Sequence, residues 1–235
     1  AYQVIESGKP LELNEFDTII SGADYHHTEQ FLLPKRNRKY DNKYWDSRKM
    51  APSSLIFYLG INKKVDGLLH HNLFFDEELD AHGKEIYENP KWPEKPLFYV
   101  CAPSKTESKV APEGMENLFI LMPIATDLDD NESIRAHYLK IILNRIKEKT
   151  GQSIEDNIIV NESFCVSEFK KEYNSFKGNA YGLANTIAQT ANLKPKIKGS
   201  LKNMYFCGQL TVPGPGIPPA LISGKIVANQ IIKNS

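Results

Sequence analysis

Residues 203–232, NMYFCGQLTVPGPGIPPALISGKIVANQII, constrain this chain more than any other stretch. Residues 204–207 form an apolar run of strand length. Gly208, Pro213, Gly214, Pro215 and Gly216 then mark a turn, and a helical pattern follows. Strand, glycine turn and helix N-terminus together make a recurring anion-binding device. The helix end offers N–H groups with no intrahelical partner and a partial positive charge, and glycines let a ligand approach the backbone. Pro218 and Pro219 suit the first helical turn, where a missing N–H breaks no helical bond. The N–H groups of Gly216, Ile217, Ala220 and Leu221 are then expected to face a ligand. Ile217, Leu221, Gly224, Ala228 and Ile231 form the expected buried stripe, with Gly224 allowing close packing on the strand. The same pattern also suits a plain βα unit with a stiffened turn and no ligand.

A chain of 235 residues buries enough surface for one large or two small domains. Its 29 basic and 29 acidic residues cancel, so charge offers no argument for nucleic acid as a partner. Cys101, Cys165 and Cys207 are odd in number and lack metal-site spacing, which predicts a reducing, cytoplasmic setting and packing roles. No signal peptide is visible, and no uncharged run reaches bilayer length, so membrane contact is expected to be peripheral.

Residues 2–6 and 18–21 are expected strands separated by a turn at Gly8, Lys9 and Pro10. The second ends in Gly22, Ala23 and Asp24, with Asp24 placed to cap a helix running to Leu33. His26 and His27 fall in its first turn, where neighbours diverge and no Cys or carboxylate set stands by. Packing is expected of them, and no metal site is assigned. Residues 35–49, KRNRKYDNKYWDSRK, set seven basic residues against Asp41 and Asp46, a local charge of +5, interleaved with Tyr40, Tyr44 and Trp45. Basic residues near an anionic leaflet contribute about 1 kcal/mol each, and Trp and Tyr favour the headgroup level. The segment is therefore either an interfacial patch or a solvated lid with its aromatics in the core.

Residues 53–61 form a nearly continuous apolar run, hence a buried strand. Residues 68–75 form a second strand, in which His70 and His71 would face opposite sides. A short helix over 76–88 precedes strands at 97–102 and 118–124, whose connecting loop turns at Gly114. Phe98, Tyr99, Phe119 and Leu121 either fill a core or wall an apolar cavity. Residues 131–149 form an amphipathic helix carrying Ile134, Tyr138, Ile141, Ile142, Arg145 and Ile146 at helical spacing, with Gly151 after its end. A short strand at 158–160 and a polar helix at 167–173 follow. Gly178 and Gly182 frame a flexible turn, after which the pattern turns helical to Asn192, and 195–200 link to the opening strand.

The segment GQLTVPGPGIPPALISGKIVA resembles the C-terminal flavin-binding signature of the bacterial-type carotenoid (phytoene) desaturases, FAD-dependent carotenoid oxidoreductases. SGADYHH, MAPSSLIFYLG, LLHHNLFFD and GNAYGLANTIAQTA are similar to further blocks of that family in the same order, from about Phe16 onward. The family's N-terminal G-x-G-x-x-G is absent from these residues, and the first residue is Ala1. The chain therefore resembles the C-terminal part of the enzyme without the N-terminal βαβ unit, and this piece alone is expected to be inactive.

The resemblance implies an α/β fold. Discontinuous FAD-binding segments, Rossmann-like as in the amine oxidases and glutathione reductases, would enclose a mixed-sheet substrate domain. Residues 1–33 would be a flavin-domain segment, 34–175 the substrate-binding domain and 176–235 the return to the flavin domain. The implied reaction is FAD-dependent desaturation of an acyclic carotenoid, with or without hydroxyl groups, by a protein peripheral to a membrane. Ala23 and Asp24 would lie near the dinucleotide, as would Gly208, Gln209, Gly214, Pro215, Gly216 and Ile217. Gly208–Gln209 stands where related flavoenzymes place Gly–Asp, and Tyr181 would wall the substrate site. No catalytic residue is assigned, because His71 and Glu168 have only their chemistry to recommend them. An isomerase, saturase or oxygenase of the same superfamily, or a non-catalytic isoprenoid-binding module, would carry the same features. Oligomeric state, carotenoid, target bond and final electron acceptor stay open.

Overall fold

A computed structural model of the protein describes residues 5–6, 9–10 and 16–234. In chain order the strands and helices are β1 (Ile5–Glu6), β2 (Lys9–Pro10), β3 (Ile19–Ser21), α1 (Tyr25–His27), α2 (Asn42–Asp46), β4 (Ser53–Ile61), β5 (His71–Phe74), α3 (Leu79–Tyr87), β6 (Phe98–Cys101), β7 (Glu116–Ile124), α4 (Glu132–Thr150), β8 (Ile158–Phe164), α5 (Val166–Tyr173), β9 (Met204–Phe206) and α6 (Ile217–Asn234). The fold is mixed α/β, with parallel and antiparallel pairing in different sheets. The chain forms two compact units, one of residues 1–48 and 185–235, the other of 49–184. Residues 34–48 and 176–184 thus group differently from the sequence-based boundaries. Of the expected first strand and turn, Tyr2, Gln3, Val4 and Gly8 lie outside the described residues; β1 pairs antiparallel with β2.

The 49–184 unit is built on a five-stranded antiparallel sheet in the order β5-β6-β7-β4-β8. β4 occupies the expected residues, and its continuous apolar run suits a strand paired on both sides. On one face Leu55, Phe57 and Leu59 join Phe98, Val100, Leu118, Ile120 and Met122 under α4, which contributes Tyr138, Ile142, Leu143 and Ile146. Burying each Leu or Ile contributes about 1.5–3 kcal/mol. α4 is bounded as its sequence predicts: Asn131 caps the Ile134 N–H at 3.0 Å, and Gly151 ends it in the left-handed conformation. Arg145 of its stripe is buried, pairs with Asp76 and lies 4.7 Å from the centre of the Phe98 ring.

Three expectations fail here for local reasons. β5 is shorter than 68–75, because the Asn72 side chain accepts the Leu69 N–H (2.8 Å) and donates to Leu69 O (2.7 Å), closing a turn. His70 therefore precedes the strand, and its ring lies 4.3 Å from that of His71 rather than on the opposite side. β8 runs on through polar Asn161, Glu162 and Ser163, since an edge strand paired with β4 tolerates exposed side chains on both faces. The helix expected after Gly182 is reduced to 3-10 turns at Ile187–Gln189 and Ala191–Leu193: Ile187 is 94% exposed, so no apolar stripe is buried to sustain it.

In the other unit β3 and β9 pair in parallel, Ile19 with Met204 and Ser21 with Phe206. Asp24 caps α1 through the His27 N–H (2.9 Å), as predicted, but residues Thr28–Leu32 then wind as a π-helix. Tyr25 stacks on Phe206 at 3.7 Å and donates to Lys196 O, and Trp45 is fully buried against it. Tyr40 and Tyr44 stack beside them at 4.2 Å. Of the aromatics of the basic segment, Trp45 thus belongs to the core, while Tyr40 and Tyr44 are half-buried against it. Buried Glu29 fastens that segment by accepting the Lys39 and Tyr40 N–H groups at 2.8 and 3.2 Å.

Candidate functional site

The turn between β9 and α6 is shaped by three glycines with positive φ: Gly208 (109°), Gly214 (134°) and Gly216 (106°). Side chains strongly disfavour this conformation, so the turn's path depends on glycine. Gly208 donates its N–H to the Ser223 hydroxyl at 2.8 Å, and Ser223, fully buried on α6, donates to Ala220 O. The Ala220 N–H closes the first helical turn onto Gly216 O at 2.9 Å. Ala220, and Leu221 beyond it, therefore do not face a ligand as expected. With Pro218 and Pro219 lacking an N–H, the donors ahead of the first helical bond are Gly216 and Ile217.

The buried stripe of α6 is only partly the expected one: Ile231 packs against the core and Gly224 is half-buried, but the rest of the stripe is shifted. Ser223 and Val227 are buried, whereas Ile217 and Leu221 are 80% and 71% exposed and Ala228 faces solvent. Ser223 sets this rotation. It is placed to satisfy the Gly208 N–H, and Val227 one turn on packs against Ile197 and Tyr205. The signal was a lone serine in an apolar helix, at the spacing of Ala220 and Val227.

Beneath the turn lies a residue that sequence reasoning passed over. Lys194 is 2% exposed, and its Nζ has no hydrogen-bond partner among the described residues. A β-carbon on Gly214 would stand 3.1 Å from Lys194 Cε, 3.2 Å from Nζ and 3.6 Å from Asn185 Oδ1. Thr211 donates to Pro195 O at 2.7 Å, fastening the Lys194 loop to the turn. Burial pushes the Lys194 pKa down from its ordinary value. The missing β-carbon at Gly214 thus makes room for a buried lysine beneath the turn, a feature suited to answering negative charge brought to it.

Of the other predicted residues, Ala23 and Asp24 follow β3, in the same unit as the glycine turn, and Pro215 and Gln209 are half-buried within that turn. Tyr181 belongs to the other unit and is 38% exposed. The glycines flanking it are structural. A β-carbon on Gly178 would stand 2.6 Å from Val166 Cγ1, and Gly182 donates to the Asn179 side chain at 2.6 Å. Glu168 accepts the Cys165 N–H (2.8 Å) and pairs with Arg135 (2.7 Å); its hydrogen bonds and charge partner hold its pKa below the ordinary range despite burial. It is a helix cap, poorly suited to take a proton.

The sheet face opposite α4 carries Tyr58, Leu73, Tyr99, Phe119 and Leu121 on neighbouring strands, with Tyr58 and Leu73 46% and 65% exposed. Phe98 points into the core instead, so three of the four expected wall residues share this face. Its outer end is polar: His71 Nδ1 bonds Tyr99 Oη at 2.5 Å and His70 Nδ1 bonds Thr106 Oγ1 at 2.6 Å. Ligand-type atoms of His70, His71 and Cys101 lie within 4.8 Å of one another, a grouping the sequence spacing did not suggest.

No protein-family model matches the chain. It is 42% identical over 219 residues to a carotenoid 3,4-desaturase of Haloarcula japonica, covering 93% of this chain and 44% of the relative. It is 29% identical to a zeta-carotene-forming phytoene desaturase of Myxococcus xanthus, covering 94% of this chain and 43% of that protein. With a phytoene desaturase of Fusarium fujikuroi it shares 30% identity, covering 93% and 42%. The chain thus spans less than half the length of these curated relatives. A crystal structure of an oxidoreductase from Methanosarcina mazei has a similar fold, with a TM-score of 0.54 and 13% identity over 97% of this chain and 48% of that one.

Proposed function

We propose that this chain, which belongs to the carotenoid desaturase family and corresponds to its C-terminal part, serves FAD-dependent desaturation of an acyclic carotenoid. The observation that carries the reading is the similarity to carotenoid and phytoene desaturases across 93% or more of the chain. One unit would supply the flavin-facing turn and belong to a discontinuous dinucleotide-binding domain; the other would be the substrate domain.

When bound, the flavin supplies the acceptor for a hydride, while the neighbouring carbon gives up a proton and the C–C bond becomes double. The chain's own part is to bind, orient and exclude water. Gly214 and Gly216 admit the cofactor close to the backbone, with Pro215 and Gln209 flanking. The Gly216 and Ile217 N–H groups, at the positive end of α6, lie where charge developing on reduction is favoured. Ala23 and Asp24 would border the dinucleotide. The apolar face of Tyr58, Leu73, Tyr99, Phe119 and Leu121 offers dispersion contact to a long polyene, and Tyr181 would extend that wall.

No helix among the described residues is long and apolar enough to cross a membrane. An apolar substrate is delivered from a bilayer, and a peripheral contact suits exposed Phe31 and Leu32 beside Lys35 and Arg36.

The test is a product assay of the flavin-loaded full-length protein with acyclic and hydroxylated carotenoids in liposomes. Desaturated products with a longer polyene chromophore are expected. Products isomerised, saturated or oxygenated without new double bonds would assign the chain to another branch of the superfamily. Tight carotenoid binding without any turnover would favour the binding-module reading.

A further inference from the structure

Lys194 poses an energetic problem that nothing among the described residues resolves. An ammonium removed from water is costly unless charge or hydrogen bonds compensate it, and Lys194 Nζ has neither an ion pair nor a hydrogen bond among the described residues. Its position is nonetheless well defined. The Lys194 N–H donates to Ala191 O at 3.2 Å, and the Thr211–Pro195 bond ties the same loop to the glycine turn. Gly214, at φ 134°, makes room for the lysine itself: a β-carbon there would stand 3.1 Å from Cε and 3.2 Å from Nζ. The chain therefore keeps an unpaired lysine amine directly under the turn that begins α6, and negative charge arriving there would favour its protonated form.

A second source of positive potential lies at the same place, the N-terminal end of the 18-residue helix α6. Two like contributions, one buried beneath the turn and one at its helical end, make a site for negative charge. That charge need not be a diphosphate. In dinucleotide folds the diphosphate has its own seat on the G-x-G-x-x-G βαβ unit, a motif not found in these residues. The charge left for this turn is the one that appears when the flavin is reduced.

We propose that Lys194 is a positioning residue that stabilises the reduced flavin from beneath the Gly214–Gly216 turn, acting through the protein interior rather than by contact. The inference rests on the reading that this turn receives FAD. Contact is not required: Nζ is covered by protein, and a unit charge within about 10 Å at an effective dielectric of about 20 shifts an equilibrium more than tenfold.

The experiment compares wild type, Lys194→Met and Lys194→Arg of the full-length, flavin-loaded protein by spectroelectrochemical titration, together with melting of the apo-proteins. Lys194→Met should retain stoichiometric FAD while losing about tenfold of its preference for the reduced form, a potential about 30 mV lower for a two-electron couple. Lys194→Arg should restore most of the shift. The Lys194→Met apo-protein should melt no lower than wild type, because a buried unpaired amine has been removed. An unchanged potential would overturn the inference and leave the flavin site standing. A collapsed apo melting temperature would make Lys194 a structural residue and overturn it likewise. A wild-type protein that holds no FAD would overturn the reading beneath it.

Discussion

Gly208 and Ser223 are joined by one hydrogen bond of 2.8 Å, and that bond fixes which side of α6 is buried. Replacing Ser223 with Ala leaves the Gly208 N–H without its acceptor. The expected cost is about 1–3 kcal/mol of apo-protein stability, read as a lower denaturation midpoint at unchanged m-value. Ser223→Thr, which keeps the hydroxyl, should recover part of it. Equal midpoints for wild type and Ser223→Ala would remove the bond from any role in setting the helix.

The glycine turn should respond to substitution even without cofactor. Gly214 and Gly216 occupy φ values of 134° and 106°, so Gly214→Ala and Gly216→Val each strain the backbone by more than about 1 kcal/mol. A β-carbon at 214 also crowds Lys194, whereas one at 216 meets Pro219 Cδ at 3.4 Å. Apo melting should fall for both variants, and FAD affinity should fall further than the fraction unfolded explains. If affinity in the folded fraction stays at the wild-type level, the turn is a structural corner and not a cofactor seat.

His82 gives the sheet unit a pH dependence of defined sign. Its Nδ1 accepts the Leu97 N–H at 3.0 Å and its Nε2 donates to Pro123 O at 2.9 Å, so the buried ring is neutral. Desolvation holds its pKa below the ordinary 6.5, against the opposing pull of the Pro123 bond and Glu85. Above pH 6.5 folded and unfolded forms are both neutral and the contribution is complete. As pH falls below 6.5 the unfolded chain takes up the proton first, and stability is lost down towards the folded value. Melts at pH 7.5 and pH 5 should differ more for wild type than for His82→Gln. Identical slopes would rule the residue out.

The basic segment predicts salt-sensitive binding to anionic vesicles. Arg38 is engaged by Gln30 and Leu33 O, Lys39 by Lys198 O, Arg48 by Ser47 and the Tyr44 ring, and Lys49 by the Tyr87 ring, so the charges left for a membrane are Lys35, Arg36 and Lys43. At about 1 kcal/mol each, reversing all three to Glu should weaken binding by at least roughly a hundredfold. Co-sedimentation that ignores the change would disconnect this surface from membranes.

Long periodic patterns were the legible part of this chain. β4 and α4 were readable to within a residue because an apolar run and a capped amphipathic stripe each have a single cheap solution. Side-chain hydrogen bonds decided the rest, and they leave little trace in periodicity. Asn72 shortened β5, and Ser223 turned α6 by one position on its helical wheel. The glycines of the turn were conspicuous, while the lysine beneath it was not. Sequence shows a charged residue's type, and only packing shows that it has been taken out of water. The aromatics of the basic segment illustrate the same limit: Tyr40, Tyr44 and Trp45 alternate with charge as an interfacial motif would, yet Tyr40 and Trp45 pack on Tyr25, and Tyr44 stacks on Tyr40.

The parallel pairing of Ile19 with Met204 imposes an order on assembly. During synthesis the whole sheet of residues 49–184 leaves the ribosome and can close on itself while β3 still waits for its partner. Until β9 emerges, β3 lacks the strand it pairs with here, and Tyr25 lacks the Phe206 ring it stacks on. The pairing that carries the glycine turn thus closes after the sheet of residues 49–184, and a product stopped before β9 would keep that sheet yet lack the turn. Such a product would pass a test of compactness while exposing aromatic surface, making it a target for chaperones rather than a dormant form of the protein.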